Sequence, residues 1–284
     1  MRSRAHISVP KKEAATLRIQ PSHQKRCGGS QRRRVLQNTH LVEATNTPVD
    51  TEALLVRLRE MEDALTAAVM EFGASSTEVK QICESTVKQM NGAATVLMRR
   101  HKMREAHEML KKAEMLTTSK FLMHTDDVVR IYLRSTTLNN LACYWLRRGS
   151  PRGAMKLLNQ ALALEVSKKE NASGLSDCEI TYMNMCVALS KLGRHREALA
   201  CINSAITGLL KRKEVHRAFL TLADLQDRHF YRRVMSSAYH NLATEHEHLK
   251  QPDKARQAFR CADLWSKTKD DTSKEVRKPW DRCP

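Results

Sequence analysis

Thr137-Leu-Asn-Asn-Leu-Ala-Cys-Tyr-Trp-Leu-Arg-Arg-Gly149, continued by Ala154-Met-Lys-Leu-Leu-Asn-Gln-Ala161, decides the fold. With Leu141 as anchor, Leu138 lies three residues before it, Ala142 one after and Trp145 four after. Gly149 is eight after, Ala154 thirteen, Leu158 seventeen and Ala161 twenty. The large residues share one helical face, and the small residue beside the anchor lets a second helix approach closely. The second helix answers with Ala, a large residue and Ala. Gly149 suits a turn that needs positive φ. Pro151 suits the first position of a helix, where a missing N–H costs nothing.

The same spacing recurs. An anchor on Met185 aligns Tyr182, Cys186, Leu189, Gly193, Ala198, Ile202 and Ala205. An anchor on Leu242 aligns Tyr239, Ala243, His246, Lys250, Ala255, Phe259 and Ala262. A looser copy is anchored on Ala93, with Met90, Ala94, Leu97, His101, Ala106, Leu110 and Ala113.

Across roughly residues 77–265 this pattern resembles the tetratricopeptide repeat, in which large-x-x-Leu-Gly-x-x-Tyr is followed by Ala-x-x-x-Phe-x-x-Ala. The family's glycine after the anchor is replaced here by Ala142, Cys186, Ala243 and Ala94, all small. The anchors are 48, 44 and 57 residues apart, against the family's usual period of about 34. Extra helix or loop over 119–134, 169–178 and 213–235 must take up the difference. Thr137-Leu-Asn-Asn-Leu-Ala142 also resembles the opening of kinesin light chain repeats, which are longer than the standard unit. The resemblance implies an all-α fold, an α-solenoid of antiparallel helix pairs in a tetratricopeptide-like superhelix.

It also implies that the first helices line a concave groove. Asn stands one residue before the anchor in three copies, as Asn140, Asn184 and Asn241, with Asn139 and His240 adjoining. An Asn amide offers two donors and an acceptor, which suits a peptide backbone. The residues leave a second reading open, in which these amides bridge neighbouring helices. The Lys and Arg clamp of the chaperone-binding subclass is replaced by Thr136, Ile180, Asn184 and Ser237. Arg228, Arg232 and Arg233 share a helical face and form a candidate basic patch.

Outward from the repeats, Leu54, Leu55, Leu58, Met61, Leu65, Val69 and Phe72 recur at helical spacing and predict a helix over 51–72, ended by Gly73. Residues 1–49 sustain no apolar period and read as a disordered basic tail. Residues 1–40 hold ten Lys and Arg against the single acid Glu13, half of the net charge of +18. Residues 50–76 are assigned to the N-terminal helix, 77–268 to the repeat domain and 269–284 to a C-terminal tail.

Eight scattered cysteines form no Cys-x-x-Cys pair, and they are expected to be reduced. No His or Cys cluster has zinc spacing, so no metal or other cofactor is expected. Glycine-rich phosphate loops, nucleophile elbows and zinc-protease motifs are likewise missing. His240, His246 and His248 with Glu245 and Glu247 are the densest titratable group, and they read as structural.

The expected function is a non-enzymatic scaffold or adaptor. It would bind a peptide or helix of a protein partner in a cytoskeletal, ciliary or trafficking complex in the cytoplasm. The alternative is an RNA-associated or mitochondrial helical-repeat protein that uses its basic surface. Nucleic acid would then meet the Arg-rich, acid-poor tail, which has the composition of a transit peptide. No run is apolar enough to predict a membrane span.

Overall fold

The computed structural model describes residues 51–118, 127–169, 178–216 and 224–267, all within the compact unit Val35–Pro284. The readings of residues 1–49 and 269–284 fall outside the described residues. Among the described residues the elements are helices: α1 (Thr51–Phe72), α2 (Thr77–Arg99), α3 (Met103–Thr118), α4 (Asp127–Arg147), α5 (Pro151–Lys169), α6 (Cys178–Lys191), α7 (His195–His216), α8 (Asp224–His248) and α9 (Pro252–Lys267). After α1 they pair as antiparallel hairpins α2–α3, α4–α5, α6–α7 and α8–α9. The fold is all-α, a run of packed helix pairs.

Burial follows the repeat register. The small residue after each anchor (Ala94, Ala142, Cys186 and Ala243) is fully or almost fully buried, so the paired helices meet closely there. The two alanines of each second helix, from Ala106 and Ala113 through Ala255 and Ala262, are also buried. The loosely matching copy at α2–α3 therefore packs by the same rule as the others. In α1 the buried residues are Leu58, Leu65 and Ala68, while Phe72, expected on the apolar face, is exposed.

One turn joins every hairpin. Gly149 and Gly193 take φ of 80° and 73°, and His101 and Lys250 take 62° and 58° at the corresponding positions. The next residue in each turn donates its N–H to the carbonyl five residues back: Lys102 to Leu97, Ser150 to Trp145, Arg194 to Leu189 and Gln251 to His246, at 2.9–3.0 Å. This is the six-to-one bond that closes a helix C-terminus once a left-handed residue has turned the chain. Pro151 and Pro252 open α5 and α9, as their missing N–H groups allow.

The long spacing between anchors is taken up partly by helix. Thus α4 begins fourteen residues before its anchor Leu141 and α8 eighteen before Leu242. Cys83, Cys143, Cys178, Cys186 and Cys201 take part in no disulfide. Cys261 is disulfide-bonded, which corrects the expectation that all eight cysteines are reduced. No described helix is long and apolar enough to cross a membrane.

Candidate functional site

The first helices α2, α4, α6 and α8 pack on one another in order, whereas each second helix touches its own first helix and the next one. The first helices therefore form a continuous layer, and the sequence-expected site residues lie on it.

Four asparagines in this layer are buried: Asn91, Asn139, Asn140 and Asn184. Asn91 donates from Nδ2 to Thr137 Oγ1 at 2.9 Å and to Val87 O at 3.0 Å, and its Oδ1 accepts from Asn140 Nδ2 at 2.8 Å. One hairpin further on, Asn139 donates to Thr181 Oγ1 at 2.8 Å and to Ser135 O at 3.1 Å, and accepts from Asn184 Nδ2 at 2.8 Å. The two sets are superimposable in register. In each, an Asn two before one anchor serves a Thr four before the next anchor and an Asn one before it. Thr181 passes the chain on to the buried Glu165, donating to Oε2 at 2.8 Å.

Asn139, Asn140 and Asn184 are thus engaged between helices, the second of the two readings their chemistry allowed. A buried amide left unbonded costs about 1–3 kcal/mol, so the ladder fixes the register of α2, α4 and α6. It stops before α8. Buried Met183 stands where Asn91 and Asn139 stand in the earlier copies, and buried Ala238 replaces Thr137 and Thr181. Apolar packing of Met183, Val234, Met235 and Tyr239 takes over at this junction.

Beyond the break, polar groups turn outward. Asn241 is half-buried and His240 exposed, with the His240 ring edge-on to Phe259 at a centroid distance of 5.7 Å. Arg233 is exposed and Arg232 half-buried, while the Arg228 side chain lies outside the described residues.

The expected titratable group rearranges into a different pair. Glu245 is buried, with Oε2 2.9 Å from Nδ1 of His195 at the start of α7. His195 stacks on His248 with ring centroids 4.1 Å apart, and His246 pairs with Gln251 Oε1 at 2.8 Å. Among the described residues no group of three or more His, Cys, Asp or Glu is placed to hold a metal ion. A separate open cleft of ≈ 380 Å³ lies between α1, α2 and α3, lined by Leu65, Val69, Met90 and Met115.

The ladder partners Asn91, Thr137 and Thr181 were not singled out from sequence. Their signal was present: Asn two before the anchor and Thr four before it each occur in two copies. A second signal is a basic residue six after every anchor, as Arg99, Arg147, Lys191 and His248. These four residues end α2, α4, α6 and α8.

Buried alanine seams, one repeated left-handed turn and a continuous first-helix layer define a helical-hairpin repeat protein. Residues 134–164 match the tetratricopeptide repeat family, so the chain carries a repeat of that type. The match spans the last two thirds of α4 and most of α5. No curated protein and no solved structure matches the chain.

Proposed function

We propose that this chain is a non-enzymatic scaffold that holds a peptide or helix of a protein partner against its first-helix layer. Tetratricopeptide repeats bind protein partners, and the repeat at 134–164 carries that general role into this chain. The observation that carries the finer reading is the change along the layer. From α2 to α6 the asparagine side chains are buried and bond between helices. On α8, His240, Asn241 and Arg233 are wholly or partly open to solvent. A partner's backbone and side chains find donors and acceptors there. Assembly of a cytoskeletal, ciliary or trafficking complex is the setting such a scaffold suits.

Affinity purification from cells tests this, with the wild type compared against His240→Ala/Asn241→Ala and against a chain lacking residues 1–49. Loss of the same captured protein from the double variant, with its melting temperature unchanged, is the expected result. Unchanged capture by the double variant would move the site elsewhere. If only the shortened chain lost the protein, the basic tail would be the binding element.

A further inference from the structure

The cleft at the first hairpin opens between α1 and α3, with α2 as its floor. Helix α1 packs on α2 as α3 packs on α4, α5 on α6 and α7 on α8, so α1 stands in the row of second helices. The cleft therefore belongs to that row, whereas the site proposed above lies on the first-helix layer. Its volume is ≈ 380 Å³, and its apolar lining comes from Leu65, Val69, Met70, Met90, Met115 and Leu116. Met70 on α1 is 85% exposed and Met115 on α3 is 69% exposed, the two most exposed large apolar residues among those described. Twenty-two residues after the anchor, the other copies carry Ala163, Thr207 and half-buried Leu264 in place of Met115.

The polar groups of the lining are bonded to one another. Lys112 Nζ meets both oxygens of Glu62 at 2.8 Å across the cleft, and Thr66 Oγ1 donates to Glu62 O at 2.9 Å. A small polar ligand finds few groups here to fix its orientation. Apolar side chains find an adaptable methionine surface. From Glu62 to Met70 the lining runs about 12 Å along α1, which matches two turns of a docked helix. Charge then selects the helix. The chain carries +18, yet α1 holds Glu52, Glu60, Glu62, Asp63 and Glu71 against two arginines, a net −3. The two lysines of α3 are each paired at 2.8 Å, Lys112 with Glu62 and Lys111 with Glu114. Glu71 follows Met70, and Glu114 precedes Met115. A basic helix is attracted to these lips and an acidic one is repelled.

We propose that this cleft docks a basic amphipathic helix of a partner. Its aliphatic or aromatic anchors recur at helical spacing over two turns and enter between Met70 and Met115, with Lys or Arg on the flanks. The site goes beyond the first-helix scaffold reading and does not depend on it. Acidic α1 disfavours an anionic lipid surface as the occupant.

The probe is a fluorescent synthetic peptide with Leu at helical spacing on one face and Lys on the other. One control has the same composition scrambled so that the leucines share no face. A second control keeps the pattern with Glu in place of Lys. Binding to the full-length protein is read by anisotropy. The patterned Lys peptide is expected to bind about tenfold or more tightly than either control. Met70→Lys/Met115→Lys should remove that preference with the melting temperature unchanged, because both side chains are exposed. Exposed Val166→Lys, on α5, should keep it, and so should His240→Ala/Asn241→Ala.

Binding of the patterned peptide no tighter than the scrambled one, or no binding at all, overturns the proposal. A Glu peptide as good as the Lys peptide overturns the basic partner. Binding that survives Met70→Lys/Met115→Lys places the helix elsewhere and overturns the cleft. Loss in His240→Ala/Asn241→Ala assigns the peptide to the first-helix layer and likewise overturns it. Sedimentation of the wild type as a dimer that the methionine variant returns to a monomer makes a second copy the occupant, which also overturns it. Capture of a cellular partner still decides the scaffold reading on its own.

Discussion

Asn184 donates through Nδ2 to Oδ1 of Asn139 at 2.8 Å, and the same bond runs one hairpin earlier from Asn140 to Asn91. Forty-five residues of sequence separate the first pair and forty-nine the second. Their identical geometry shows that the unequal spacing of the repeats is absorbed away from the first-helix seam.

Asn139→Ala is therefore expected to lower stability by about 1–3 kcal/mol, because it strands the buried Nδ2 of Asn184. Asn139→Ala/Asn184→Ala should cost less than the sum of the single changes, since the stranded donor goes with its partner. Asn241→Ala, beyond the ladder, should stay within about 0.5 kcal/mol. Chemical denaturation of the three variants measures this. Equal losses for Asn139→Ala and Asn241→Ala would mean that the ladder carries no energetic weight.

The four turns allow a reciprocal test. Gly149→Ala meets nothing within 4 Å, so its cost is conformational, about 1 kcal/mol at a φ of 80°. Lys250→Gly and His101→Gly occupy the same left-handed position and should stabilise by several tenths of a kcal/mol to about 1. Thermal melts that moved all three variants the same way would refute the equivalence of the turns.

Buried Glu245 depends on His195 for a hydrogen bond at 2.9 Å. His195→Ala leaves that carboxylate buried without this bond and should cost about 2 kcal/mol. Adding Glu245→Gln removes the charge and should recover part of the loss. A strictly additive double variant, measured by denaturation, would show that the pair does not interact.

Burial, with a smaller contribution from Glu84, pushes the Cys83 thiol up from 9.0 to about 11. Burial, then Glu245, pushes Cys186 further up still. At pH 8 about one in a thousand Cys83 groups is then thiolate in the folded chain, so alkylation should follow unfolding. The raised value means the folded state holds the proton more tightly. The corresponding stability is full below pH 9.0 and falls away as pH rises towards about 11. Mass-spectrometric mapping of iodoacetamide adducts over time checks both thiols. Rapid native labelling of Cys83 or Cys186 would contradict their burial.

Much of this was legible in the sequence because close helix packing constrains residue size strongly. Ala142, Ala161 and the left-handed Gly149 could be placed from spacing alone, and α1 was found to the residue. The asparagines stood out in the sequence, but their role was not fixed by it. An amide one residue before the anchor faces a groove or a neighbouring helix depending on how closely the first helices approach. That distance is a property of neighbouring repeats, so one repeat's pattern does not contain it. Phe72 stands on the expected apolar face but is exposed at the end of α1 among the described residues.

The break in the ladder has a mechanical consequence. From α2 to α6 the seam is pinned by directional hydrogen bonds between side chains. Between α6 and α8 it is held by Met183, Val234 and Met235, whose contacts tolerate small slips. Springs in series share a load unequally, and the softest one yields. A load applied along the array is expected to be taken up first at this joint.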